Sequence, residues 1–436
     1  MTTTLWAPQA WSQGRWRESV LLEVAADGTW LRVAPDTQRA PGMQVLAGPV
    51  LPGLVNAHGH AFQRAFAGLA ERREGEHDDF WSWRDRMYGV ALTITPERLH
   101  RVAAELYAEL LRGGYTQVCE FHYLHHAPDG GRYGDPLTMS RALVHAARDT
   151  GIGLTLLPVL YERAGFAAAR LRDDQRRFAT TVDDVLALRD GVRALGEPHV
   201  TAGVAIHSLR AAKASSIDTL VQRLAGDRAP IHVHVAEQTA EVDDCIAATG
   251  LRPIDWLARH ARLDARWQLV HATHATPAEI DAVAASGAGV VLCPSTEANL
   301  GDGVPDLPRW LQSATPLSIG SDSHVTRDWR EELRLLEYSQ RLTLRQRNVA
   351  AAPGAGEPST AARLFERMLA GGAAAAGLGL TGLQRGARAD LLVVDGDDPA
   401  LAGRDDEHLL DTLVFSSPTR PFARVMVAGR WVGEPH

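Results

Sequence analysis

Three stretches follow one another along the chain, the first and last alike in their hydrophobic and polar spacing and the middle different. Over residues 1–50 the apolar residues come in short runs separated by turn signals. Ser19–Val24 and Thr29–Val33 flank Asp27-Gly28, an arrangement that predicts a hairpin. Residues 386–436 have the same texture, with Asp390–Asp395 as a strand and Arg424–Val432 as a hairpin pair. Between them, residues 51–385 alternate strand-like apolar runs with long helical patterns, of which Pro96–Gly113 is plainly amphipathic and ends at Gly113-Gly114. The strand-like runs are Val50–Val55, Thr116–Phe121, Gly153–Val159, Val200–Ala205, Ile231–Val235, Trp267–His271, Gly289–Cys293 and Leu317–Gly320. Eight buried strands separated by helix-compatible stretches predict an α/β fold, a (β/α)8 TIM barrel with a parallel sheet, while the strand-rich ends predict a small β-domain built from both termini. Gly68–Gly89, His122–Asp135 and Ala351–Pro358 read as loops, and Ala373–Ala376 as helix near the end of the barrel.

The residues at the strand ends carry the chemistry. His58-Gly59-His60 follows the first run, and alternation along an extended chain lets His58 and His60 converge on one point. The fifth run delivers His234, with Glu237 three residues on; the sixth delivers His271; the eighth leads into Gly320-Ser321-Asp322-Ser323-His324. In a barrel these ends share one rim, where catalytic groups gather. His58, His60, His234 and Asp322 make a set of three nitrogens and one oxygen suited to a divalent metal such as zinc. His232 shares the face of His234 by alternation and reads as a barrel-interior residue or one that supports the ligands from behind, and not as a ligand itself. His274 and His324 read as polar loop residues.

Composition narrows the picture in three respects. Hydrophobic residues at 45% and charged residues at 22% of 436 allow a sizeable core. A net charge of −8 offers no basic footprint for nucleic acid. Cys119, Cys245 and Cys293 are widely spaced and form no CxxC, which suits a reducing compartment. Neither a secretory leader nor a membrane-length apolar run is visible, so a cytoplasmic protein without a membrane partner is expected.

The histidine pair after the first strand, the later histidines and the final aspartate resemble the amidohydrolase superfamily. The order HxH, HxxE, H, D resembles its mononuclear deaminase branch. The chain's one lysine, Lys213, lies past the fourth run in expected helix, which argues against a lysine-bridged pair of metals. Four further stretches, His58–Arg64, Phe80–Arg84, His207–Arg210 and His232–Gln238, are similar to those of formimidoylglutamate deiminases. That resemblance implies hydrolysis of N-formimino-L-glutamate to N-formyl-L-glutamate and ammonia in histidine degradation, one divalent metal, most simply zinc, and a homodimer. It also implies a substrate pocket of Gln63, Arg84, Tyr123, His207 and Arg210.

In the expected chemistry, a bound metal brings its water's pKa down to about 7, and the resulting hydroxide attacks the formimino carbon. Asp322 both ligates and takes the water's proton, Glu237 shuttles a proton to the substrate nitrogen, and His271 orients the nucleophile or stabilises developing charge. A dicarboxylate substrate calls for guanidinium groups, and Arg210 beyond the fourth strand and Arg84 in the first loop are placed to supply them. Two alternatives use the same metal set: a deaminase of a nucleobase or related heterocycle, and a non-catalytic metal-binding protein. Neutral planar substrates would make poor use of two arginines, and no acid/base residue is missing as a binding protein would allow.

Overall fold

The hydrophobic runs sort into two sheets in the computed structural model, which describes residues 3–73, 76, 78–401 and 406–433. In chain order, β1 (Thr3–Ser12), β2 (Arg15–Val24), β3 (Trp30–Ala34), β4 (Gln44–Val45) and β5 (Val50–Leu51) come first. The barrel strands follow: β6 (Leu54–Gly59), β7 (Tyr115–His122), β8 (Gly153–Leu160), β9 (Val200–Ala202), β10 (Val204–Ile206), β11 (Ile231–Val235), β12 (Trp267–His271), β13 (Gly289–Leu292) and β14 (Leu317–Ile319). Last come β15 (Leu391–Val394), β16 (Phe422–Val427) and β17 (Arg430–Val432).

One sheet runs in the order β17-β16-β15-β5-β1-β2-β3, with β4 beside β1, so both ends of the chain build it. The other runs β14-β13-β12-β11-β10-β8-β7-β6, with β9 on β8, all parallel. Its first and last strands meet at a parallel bridge between Gly59 and Asp322, which nearly closes a barrel. The expected (β/α)8 architecture with a separate terminal sheet is what the chain adopts.

Two expected strands are divided. Val50–Val55 is not one strand: Val50 and Leu51 pair in the terminal sheet, and Leu54 starts the barrel. Pro52 carries no N–H to continue a ladder. A Cβ on Gly53 would lie 2.2 Å from Thr116 Cγ2, so the backbone can approach β7 there only without a side chain. The run from Val200 is broken at Gly203, where Pro230 O would lie 2.4 Å from a Cβ.

The helix Pro96–Arg112 shows how the outer layer is written. Thr95 caps it by accepting from Arg98 N, proline stands in its first turn, and Leu99, Ala103, Leu106, Tyr107, Leu110 and Leu111 are buried at helical spacing. Another helix, Thr360–Ala376, closes the barrel floor. Its last carbonyls, left without intrahelical donors, are satisfied from inside the barrel. His232 Nε2 lies 2.8 Å from Ala375 O, and Thr155 Oγ1 donates to Ala376 O at 3.0 Å. His232 therefore does sit in the barrel interior, holding a helix end.

Gly68–Gly89 was expected as a loop, yet Phe80–Ala91 is a helix. Asp79 accepts from Trp81 N and Ser82 N, and Ser82 Oγ in return accepts from Asp79 N, a reciprocal cap that was visible as Asp-x-x-Ser. Arg84 consequently projects from a helix and not from a loop. Lys213, expected in helix, stands just before the helix Ala214–Arg223 and is exposed.

Candidate active site

The seam that closes the barrel also assembles a ligand set. Asp322 N donates to His58 O at 3.0 Å, and His60 N donates to Asp322 O at 3.1 Å. This double link fixes the backbone of three candidate ligands at once. His58 Nε2 lies 3.0 Å from His234 Nε2 and 3.3 Å from Asp322 Oδ1; His60 Nε2 lies 3.2 Å from that same oxygen. All four side chains are buried and converge on one point.

The donor set fits a divalent cation. Tetrahedral coordination at about 2.1 Å places neighbouring ligand atoms about 3.4 Å apart, close to the separations found. His60 Nδ1 donates to Phe121 O at 2.9 Å and His234 Nδ1 to His207 O at 3.0 Å. Those bonds put the ring proton on Nδ1 and leave Nε2 a lone pair aimed inward. Burial pushes His58 down to about 3 and His234 well below the usual imidazole range, so both are neutral, as ligation requires.

Beside this set stands a second group. His271 Nε2 is 3.6 Å from Glu237 Oε1 and 3.7 Å from Asp322 Oδ2, and its Nδ1 is 3.3 Å from Glu297 Oε1. Burial opposes charge on the His271 ring, but Glu237, Glu297 and Asp322 outweigh it and lift the group to about 10. Burial raises the Glu237 carboxyl to about 7. An imidazolium and a carboxyl that readily exchanges a proton near neutrality are thus adjacent. The backbone is forced to this arrangement: His271, Ala272 and Asp322 have φ of 71°, 48° and 48°. Each such non-glycine residue costs about 1–3 kcal/mol of strain.

All the expected substrate residues line one cavity, together with His60, His234, Glu237, His271 and Asp322. Gln63 lies in the turn after His60 and donates from Nε2 to Tyr123 Oη at 2.9 Å. Tyr123 follows β7 and His207 follows β10 directly. The helix Phe80–Ala91 forms the roof, contributing Phe80, Trp83, Arg84, Met87 and Tyr88. The guanidinium carbons of Arg84 and Arg210 lie 4.7 and 5.3 Å from the Trp81 ring, so one indole supports both charges. Arg210 Nη1 and Arg84 Nε are buried without a hydrogen-bond partner among the described residues. Arg84 Nη2 reaches Asp85 at 3.3 Å.

Several contributors were not anticipated. Glu297 braces His271 and accepts from Cys293 N at 2.9 Å. Glu120 holds the turn after His60 by accepting from Ala61 N at 2.8 Å and from Tyr107 Oη at 3.1 Å. Gln175 donates to Tyr88 Oη and Tyr161 Oη at 3.2 and 3.0 Å, tying the roof helix to the end of β8. Nothing in local spacing marks these residues, because each acts on a group remote in sequence. His324, expected as a loop residue, is fully buried. His274 stays outside the ligand set.

Comparison with known proteins agrees with this geometry. The amidohydrolase family model matches residues 50–432. A formimidoylglutamate deiminase from Pseudomonas aeruginosa is 46% identical over 99% of this chain and 94% of its own length. A crystal structure of an amidohydrolase from Brucella melitensis superposes with a TM-score of 0.92 at 41% identity, covering 98% of this chain and 94% of that one. An adenosine deaminase from Xanthomonas campestris, solved with bound zinc, shares the fold with a TM-score of 0.80 at 23% identity, over 98% and 92% of the two chains. The chain belongs to the amidohydrolase family.

Proposed function

We propose that this protein hydrolyses N-formimino-L-glutamate to N-formyl-L-glutamate and ammonia, a step of histidine degradation, with one zinc ion held by His58, His60, His234 and Asp322. The observation that carries the reading is the layout of the cavity. Three of the four ligands, His60, His234 and Asp322, and the proton-transfer pair lie among its walls together with two guanidiniums set against Trp81. A flexible substrate with a planar C–N head and two carboxylates matches that layout, and a neutral heterocycle does not. The near full-length identity to the Pseudomonas aeruginosa deiminase supports the same assignment.

A bound metal would lower the pKa of its water to about 7 and polarise the group under attack. The residues do the rest. Arg210 and Arg84 bind the carboxylates, and Gln63, Tyr123 and His207 fix the formimino head in the pocket. Asp322 accepts a proton from the attacking water through the oxygen that faces His271. His271, held by Glu297, presents its Nε2 proton to the oxygen as charge develops there. Glu237 passes a proton to the terminal nitrogen. A carbon–oxygen bond forms, the carbon–nitrogen bond to that nitrogen breaks, and ammonia leaves with both water protons.

The testing experiment is steady-state ammonia release from N-formimino-L-glutamate by wild type and by Glu237→Gln, His271→Ala and Arg210→Ala. Turnover by wild type with severe loss in all three variants supports the assignment. Retention of wild-type rates in the first two contradicts the proton-transfer roles.

A further inference from the structure

Glu241 is a buried carboxylate, 1% exposed, to which the reaction proposed above gives no task. It stands at the third position of the helix Thr239–Thr249, which follows the turn that delivers Glu237. A glutamate there ordinarily reaches back to the N–H of the residue that caps the helix. Glu241 reaches further. Its Oε1 accepts from Ala236 N at 3.2 Å and its Oε2 from Glu237 N at 3.1 Å, past the cap residue Gln238. Gln238 makes no side-chain cap, and its Nε2 donates instead to Asp302 Oδ1. The Glu241 carboxylate therefore holds the turn before the helix and not the helix end itself.

That turn is under constraint. Ala236 has a φ of 52°, in the left-handed region that a residue with a Cβ adopts only when its surroundings impose it. His274 N donates to Ala236 O at 3.0 Å, so Ala236 is fixed at both its N–H and its carbonyl. His274 belongs to the turn after His271, and Ala272 of that turn donates from N to Val235 O at 3.0 Å. The two strand-end turns are thereby tied together, with Glu237 Oε1 3.6 Å from His271 Nε2. Charge gives Glu241 a second consequence. Burial works against the charge of Arg210, and Glu241 heads the groups that favour it, ahead of Tyr161 and Glu237. No ion pair within 4 Å joins Glu241 and Arg210 among the described residues, so the guanidinium is balanced from a distance and keeps Nη1 for a ligand.

We propose that Glu241 is a positioning residue for both halves of the site: it clamps the two backbone N–H groups that lead into Glu237, aiming that residue at His271, and it balances Arg210 without pairing with it. The role in turnover rests on the reading of Glu237 and Arg210 given above; the clamp does not. Glutamine at 241 keeps the shape, removes the charge and turns an NH2 group toward one of the two backbone N–H groups. Glu237 then loses its fixed aim. Arg210 stays charged, since a guanidinium does not deprotonate in proteins, and loses a competitor for its attraction. The signature is a fall in kcat with a KM that does not rise.

The test is steady-state ammonia release from N-formimino-L-glutamate by the zinc-loaded full chain, with amide hydrogen exchange on the same proteins. Wild type, Glu241→Gln, Glu237→Gln and the double variant are compared. Glu241→Gln should lose about 10- to 100-fold in kcat, with KM equal to or below that of wild type. In the double variant it should cost less than about threefold beyond Glu237→Gln, because it acts through that residue. The amides of Ala236 and Glu237 should be protected in wild type and exchange faster in Glu241→Gln, while those of Trp267–His271 and Leu317–Ile319 stay unchanged. A kcat within about threefold of wild type, a loss expressed in KM alone, or a fully additive loss in the double variant would overturn the positioning role. Unprotected amides at Ala236 and Glu237 in wild type would overturn the clamp, whether or not the variants fold. A wild type inactive on N-formimino-L-glutamate contradicts the proposed function, and faster exchange in Glu241→Gln would then still support the clamp.

Discussion

Replacing Arg210 by methionine separates ligand binding from folding. Arg210 is 7% exposed, its guanidinium carbon lies 5.3 Å from the Trp81 ring and 5.8 Å from the Phe80 ring, and its Nη1 has no hydrogen-bond partner among the described residues. Burial disfavours its charge, and nearby Glu241 and Glu237 keep it protonated. Among the described residues Arg210 makes no ion pair within 4 Å, only longer-range attraction to those carboxylates, so methionine's similar length retains its packing and most of its contribution to the fold. With a substrate carboxylate in place it becomes half of a buried charge pair. Truncating such a pair costs about 2–5 kcal/mol, equal to about 30- to 5000-fold in kcat/KM. Arg210→Met should thus melt within about 3 °C of wild type while losing kcat/KM on N-formimino-L-glutamate by that factor. Arg210→Lys should fall between, since an ammonium keeps the charge and lacks the two-pronged geometry. Calorimetry and steady-state ammonia release read the two quantities. A variant that keeps kcat/KM within about threefold, or one that loses about ten degrees of Tm, would refute the reasoning.

Four further outcomes are expected. Chelation should abolish activity and lower Tm by several degrees, because the folded state alone binds the ion; Asp322→Asn should fail to retain metal, and unchanged melting and metal content would count against the site. Glu297→Gln should lower kcat by about 10- to 100-fold with KM little changed, since the glutamate acts through His271 and not on substrate; a loss confined to KM would place it elsewhere. Burial lifts the Glu332 carboxyl to about 8, where it accepts from Ser295 N at 2.9 Å. Its folded pKa lies above its unfolded value, so its contribution is complete below about pH 4.5 and is lost as pH rises through about 8. Melting curves should therefore show Glu332→Gln gaining on wild type across that window, and parallel pH profiles would refute the shift.

Much of the site could be read from the sequence because the barrel converts strand ends into neighbours. His58, His60, His234, His271 and Asp322 stand at or just beyond apolar runs, and a parallel barrel must bring such positions to one rim. Division of Val50–Val55 was harder to see, since an unbroken apolar run does not reveal that two sheets share it. The roof helix was missed although Asp79 and Ser82 signalled its cap; its aromatic and charged residues face a polar cavity, so its apolar periodicity is weak. Glu297, Asp302 and Glu120 could not be found locally. In sequence Glu297 and Asp302 look like solvated carboxylates and Glu120 is a lone acid inside an apolar strand run; only the folded chain shows what they meet, at 2%, 5% and 2% exposure, against His271, Gln238 and the turn after His60.

The measurement that tests the central claim most directly is ammonia release by the zinc-loaded protein with N-formimino-L-glutamate, run beside guanine, cytosine and adenosine. The account predicts rapid turnover of the formimino compound alone. Turnover of a nucleobase or nucleoside in its place, by protein with the metal site filled, would contradict the assignment of the two arginines to substrate carboxylates and the function built on them.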